Sequence, residues 1–206
     1  MNPYELSGAD LDALREFGNI GAGHAATALS VLLGGVVRMS VTDARLCRFA
    51  EVVDVVGGSD AMVVAVYIRI DGEIAGSMFV VLSLESADRL VNGLIPGRQP
   101  GEPYGELEYS ALGEVGNILS GAYVAAISDL CGFRMAQSIP AVAIDMAAAL
   151  LDIGLMFGSG EDNEVLLIST RLMHGGREVQ AHFFLLPDFE SAPKLFDTLR
   201  GQMPSG

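Results

Sequence analysis

Apolar residues recur at helical spacing near the start of the chain. Leu11, Leu14, Phe17, Ala25, Ala28, Leu29 and Leu32 share one arc of a helical wheel, which predicts a long amphipathic helix over 11–35. A short strand-like run, "VVRMSV", follows. Two apolar runs split by a turn, "MVVAVYIRI-DGE-IAGSMFVVLS", come next, and their Asp-Gly is a hairpin signal. A short helix, "ESADRLVNGL", closes the series. The Pro/Gly-rich "IPGRQPGEPYGE" then interrupts the pattern, and the same order begins again. Leu112, Val115, Leu119, Tyr123, Ala126, Ile127 and Leu130 form the apolar arc of a second long helix. The strand-like "RMAQSI", the two-strand pattern "EVLLISTRL-MHGGRE-VQAHFFLLP" and the helix "ESAPKLFDTL" complete it.

In the long helices the repetition is literal. Residues 11–35 and 109–133 agree at eleven of 25 positions, among them Glu16/Glu114, Gly18/Gly116, Asn19/Asn117, Gly23/Gly121 and Gly34/Gly132. The expected organisation is one domain spanning 1–206, made of two repeats (about 9–95 and 107–200) joined by the Pro/Gly-rich linker. Two copies are too few for a solenoid. The economical arrangement is an α+β fold, internally duplicated about a pseudo-two-fold axis, with the two long helices packed on an antiparallel sheet.

Opposite each apolar arc runs a polar stripe. At about 100° per residue, Asp12, Glu16, Asn19 and Gly23 fall within an arc roughly 60° wide, and Ser110, Glu114, Asn117 and Gly121 repeat it. Carboxylate and amide thus project side by side, one turn apart. The stripe is bare just beyond them, where glycine costs about 1 kcal/mol against alanine in a helix. Gly21 lies on the buried arc and is expected to serve packing; Gly23 and Gly121 leave room beside the polar pair. A single Glu-x-x-Asn is commonplace on solvated helices, and simple duplication also produces matched flanks, so geometry alone names no reaction.

Composition narrows the classes. Half of the 206 residues are hydrophobic and only 18% are charged, which is globular rather than disordered. A net charge of −14 argues against a phosphate-backbone partner, so no nucleic acid is expected. Cys47 and Cys131 have no metal-ligand spacing with each other or with His24, His174 and His182, so neither a disulfide framework nor a metal site is expected. "GNIGAG" lies within a helix pattern and lacks the Lys-Ser/Thr of a P-loop. The first residues carry no secretory pattern, and the most apolar windows are too short to span a membrane. The expectation is a cytoplasmic protein without membrane insertion.

With Asp12, Glu16 and Asn19 in one half and Ser110, Glu114, Asn117 and Pro140 in the other, the chain resembles the CheC, CheX and FliY phosphatases of bacterial and archaeal chemotaxis, and CheC most of all. Their motif is Asp or Ser, three residues, Glu, two residues, Asn, then 22 residues and Pro. The second copy fits throughout; the first has Thr42 at the proline's place. The likeness runs nearly the whole length, including "GNIGAGHAATA", "GGSDAMVVAVYIRIDGEIAGSMF" and "AHFFLLPDFESAPKLF".

The resemblance implies a CheC-like fold and a hydrolase acting on the aspartyl phosphate of the response regulator CheY, which brings its own Mg²⁺; no cofactor is expected in this chain. It further implies that Asn19 and Asn117 orient the attacking water through their amide oxygens, while Glu16 and Glu114 anchor phosphorylated CheY by pairing with its active-site lysine. Asp12, Ser110 and Pro140 support the motif. Asp145, in "AIDM", matches a segment that docks the receptor deamidase CheD. Two other readings stay open: a non-catalytic adaptor for phosphorylated CheY or CheD, and a flagellar-switch component similar to FliM. Retention of both glutamates and both asparagines favours the enzyme.

Overall fold

The computed structural model describes residues 8–150 and 164–201. In chain order the elements are α1 (Gly8–Leu32), β1 (Val37–Arg48), a 3-10 turn (Phe49–Glu51) running into α2 (Val52–Val55), β2 (Met62–Gly72), β3 (Gly76–Ser83), α3 (Leu84–Leu94), α4 (Glu106–Cys131), β4 (Met135–Gln137), β5 (Ala141–Met146), β6 (Glu164–His174), β7 (Arg177–Pro187) and α5 (Ser191–Gly201). Residues 147–150 are helical as well. α1 ends at Leu32, three residues short of the expected 35, and α4 ends at Cys131. Gly34 and Gly132, one repeat apart, take the left-handed conformation with φ of 63° and 70°, which a residue with a Cβ adopts at a cost.

The strands form one antiparallel sheet in the order β1-β6-β7-β3-β2, with β4 and then β5 pairing along the far edge of β2. The first strand of each half therefore pairs with the hairpin of the other half. With repeat mates exchanged, the order reads the same from both edges, as a pseudo-two-fold arrangement requires. At the centre Phe79 faces Phe184. Each lies six residues ahead of the Glu-Ser-Ala of its own half.

One face of the sheet carries α1, α3, α4 and α5, whose apolar sides close over Val64, Val66, Ile68, Val80, Ile168 and Phe183. On the other face Val52 and Ala147 cover Val63, Ala65, Phe79, Val81, Val165, Leu167 and Phe184. Covered on both sides, β3 is buried along nearly its whole length instead of alternating.

Three expectations need correction. After α1 the strand extends well past "VVRMSV", because β1 is an edge strand whose polar residues dilute the apolar signal, and after α4 "RMAQSI" holds only the short β4, with a separate strand, β5, following Pro140. The short helical segment at 49–55 carried no periodic signal. The apolar arc of α1 is also narrower than its wheel suggests. Leu14, Phe17, Ala25 and Leu29 are buried, but Ala28 and Leu32 are exposed. α1 lies at the flank of the helical layer, against β1 and α4, whereas α4 is enclosed by α1, α3 and the sheet.

Candidate functional site

The site begins with two glycines. Gly18 and Gly116 stand one residue ahead of Asn19 and Asn117, and both are buried. A Cβ on Gly18 would lie 2.8 Å from Val41 Cγ2, and one on Gly116 would lie 2.5 Å from Val66 Cγ1. Each long helix therefore rests directly on a strand at this turn, and the following asparagine is set down beside the sheet edge. Gly21 packs against the ring of Tyr123 of α4, as expected for a buried-arc glycine, while a Cβ on Gly23 would meet nothing within 4 Å.

The residues of each stripe emerge together. Asp12, Glu16 and Asn19 are exposed on α1, with Asp12 Oδ1 3.9 Å from Arg15. On α4, Ser110, Glu114 and Asn117 line an open groove of about 580 Å³ whose far wall is Ser138, Ile139, Pro140 and Val142. All four motif residues of the second half thus share one depression. No side-chain hydrogen bond or ion pair joins Glu16 or Glu114 to any other described residue. Among the described residues their carboxylates are uncommitted.

The asparagines are tethered. Asn19 Oδ1 accepts a hydrogen bond from the backbone N–H of Val41 at 3.1 Å. Asn117 Oδ1 accepts one from Gln137 Nε2 at 2.7 Å. A carbonyl oxygen has two lone pairs, so each amide keeps one acceptor position and its NH₂ for a visitor. This modifies the expectation that the oxygen is wholly available for water.

Thr42 and Pro140 occupy equivalent irregularities. The β1–β6 register slips between Val41 and Asp43, skipping Thr42, whose Oγ1 donates to the Ser169 carbonyl at 3.1 Å. In the second half the strand stops at Gln137 and resumes at Ala141, with Pro140 in the gap. Proline has no N–H for a ladder, so the strand breaks where threonine allows a bulge.

The other residues singled out lie elsewhere. Asp145 is exposed on β5, its Oδ1 accepting the Met146 N–H at 2.8 Å. His24 is exposed on α1. His182 shares a 2.9 Å hydrogen bond with Ser169 in the sheet. Burial pushes both thiols up to about 11, so Cys47 and Cys131 are inert core residues. Among the described residues no cluster of three His, Cys, Asp or Glu side chains could hold a metal, and no helix is long and apolar enough to cross a membrane. Gln137 and Ser120 were missed as part of the site. Their only signal was a polar residue in a strand-like run and another on a buried helix face.

Comparison with known proteins agrees with this geometry. The CheC-like family matches residues 10–41 and 107–144, the two helix-and-strand segments that carry the stripes. The chain is 39% identical over 194 residues to the CheY-P phosphatase CheC of Bacillus subtilis (strain 168), covering 92% of this chain and 93% of that one. It is 24% identical to CheC1 of Halobacterium salinarum over 92% of this chain and 95% of that one. In fold it is similar to Thermotoga maritima FliY, with a TM-score of 0.77 over 96% of this chain and 99% of that one at 21% identity. FliM in its complex with SpeE from H. pylori gives 0.73 over 96% and 98% at 10% identity. With a relative this similar over nearly the full length and both stripes intact, the chain belongs to the CheC-like family and has a role in chemotaxis.

Proposed function

We propose that this chain is a protein-aspartyl-phosphate phosphatase that hydrolyses phosphorylated CheY, with Glu16/Asn19 and Glu114/Asn117 as two active sites. The observation that carries the proposal is the repeated pairing of an uncommitted glutamate with a tethered asparagine on an exposed helix face beside the sheet edge. The relative in Bacillus subtilis is itself a CheY-P phosphatase.

The chemistry asks little of the helper. An acyl phosphate already has a good leaving group, so a water must be held in line with phosphorus while the bond to the aspartyl oxygen breaks; the carboxylate and inorganic phosphate are the products. Holding one water is positioning catalysis. A neutral amide suits it, because its free lone pair accepts from the water without repelling the anionic phosphoryl group. The glutamate one turn away pairs with the regulator's lysine and fixes the distance of approach. Mg²⁺ belongs to the regulator's own acidic pocket. Asp145, exposed on an edge strand, is proposed as a contact for CheD; an Asp145→Lys chain is expected to keep its phosphatase rate and fail to co-purify with CheD, and undiminished co-purification would remove that contact.

The main test follows loss of label from phosphorylated CheY with wild type, Asn19→Ala, Asn117→Ala and the double variant. Each single variant is expected to retain part of the acceleration and the double variant none. If wild type itself gives no acceleration but still binds phosphorylated CheY, the chain is an adaptor.

A further inference from the structure

We infer that Gln137 is a positioning residue for Asn117, and that the two sites hold their asparagines by different devices because one half carries Pro140 and the other Thr42. The inference rests on the phosphatase reading above.

Gln137 is the last residue of β4, paired with Ile70 of β2. Its Nε2 lies 2.7 Å from Asn117 Oδ1 and 3.3 Å from the Asn117 main-chain oxygen. The second acceptor is a backbone carbonyl and cannot exchange roles, so the NH₂ end of Gln137 must face Asn117. The opposite end is held too: the fully buried Ser120 Oγ shares its one hydrogen between Gln137 Oε1 at 3.1 Å and the Asn117 carbonyl at 3.2 Å. The amide of Gln137 also lies over Gly121, where an added Cβ would sit 3.5 Å from Nε2. A side chain fixed at both ends thus occupies one lone pair of Asn117 Oδ1. The other lone pair and the NH₂ are left for the groove.

The first half has none of this. One repeat earlier, Met39 stands for Gln137 and Ala22 for Ser120. There the donor to asparagine is the Val41 N–H, which is within reach because the strand runs on through the bulge at Thr42. Its counterpart, Ile139, precedes Pro140 in the strand break and is 92% exposed. Where the strand break at Pro140 takes the equivalent backbone N–H, that of Ile139, out of the ladder, a glutamine side chain supplies the donor.

The test isolates the second site in an Asn19→Ala background and compares Gln137, Gln137→Met (the residue of the first half) and Gln137→Glu. Glutamate has the same shape but only accepts, so it turns the Asn117 amide around. Both variants are expected to lower kcat about tenfold or more, as sub-ångström positioning losses do, while KM, affinity for beryllofluoride-activated CheY and thermal midpoint stay close to those of the parent. Unchanged kcat in Gln137→Glu would overturn the inference, as would a parallel collapse of kcat, binding and thermal midpoint in both variants. Asn117→Ala in the same background is the control. If it leaves turnover intact, the phosphatase reading fails and takes the inference with it; if it abolishes turnover while Gln137→Glu does not, only the positioning role falls.

Discussion

Gly116 has the least room of the residues that set the site. A methyl group there would press into Val66 of β2, itself fully buried beneath α4, so neither side can yield cheaply. Gly116→Ala is expected to cost about 2 kcal/mol, the range of core overpacking, and to lift Asn117 away from Gln137, lowering activity beyond the loss of folded protein. Gly23→Ala is the contrasting change. With nothing within 4 Å of the new methyl, it is expected to gain up to about 1 kcal/mol from helix propensity. Denaturant unfolding of both variants beside wild type reads the pair. A destabilised Gly23→Ala chain would refute this account of the bare stripe.

Among the elements, the edge strands and the linker decide how the site is presented. β1 and the β4–β5 pair form opposite edges of the sheet, and each places its irregularity beside a long helix. An interrupted edge discourages strand addition from another molecule, and at β1 it leaves the Val41 N–H for Asn19. The linker, though rich in Pro and Gly, is anchored. The Arg98 side chain is 1% exposed, 3.1 Å from Asp88 and 3.4 Å from Glu108, close enough to pair with Glu108 without an aligned hydrogen bond. Its other nitrogen donates to Asn92 Oδ1 at 2.6 Å, and the guanidinium rests on the Tyr104 ring at 5.0 Å. Glu108 also accepts the Gly105 N–H at 2.8 Å, which caps α4. The start of the helix that carries Glu114 and Asn117 is thereby fastened to α3.

Across the whole molecule, the shared sheet couples the halves, since neither first strand pairs within its own half. His182 sits in this sheet between Val81 and Ser169. Burial holds its pKa below the ordinary 6.5, with Asp43 opposing more weakly. The unfolded chain therefore binds this proton more tightly than the folded one. The stability it leaves intact above pH 6.5 is lost as pH falls through that value toward the depressed folded pKa. His182→Gln is expected to show a smaller decline in thermal midpoint between pH 7.5 and 5.5 than wild type. Identical declines would exclude His182 as a source.

The sequence by itself determined the long helices, the hairpins and the stripes. Periodicity is a local property, and it placed both long helices, both hairpins and the Glu-x-x-Asn pairs on their exposed faces without any tertiary contact. Tertiary structure decided what lies far apart in the chain: that each first strand crosses to the other half, that α1 is left at the flank with Ala28 exposed, and that a glutamine twenty residues beyond Asn117 supplies its donor. A hydrogen bond between a helix and a distant strand leaves no periodic trace. It exists only once Gly116 lets the helix settle on the sheet and Pro140 breaks the strand beside it.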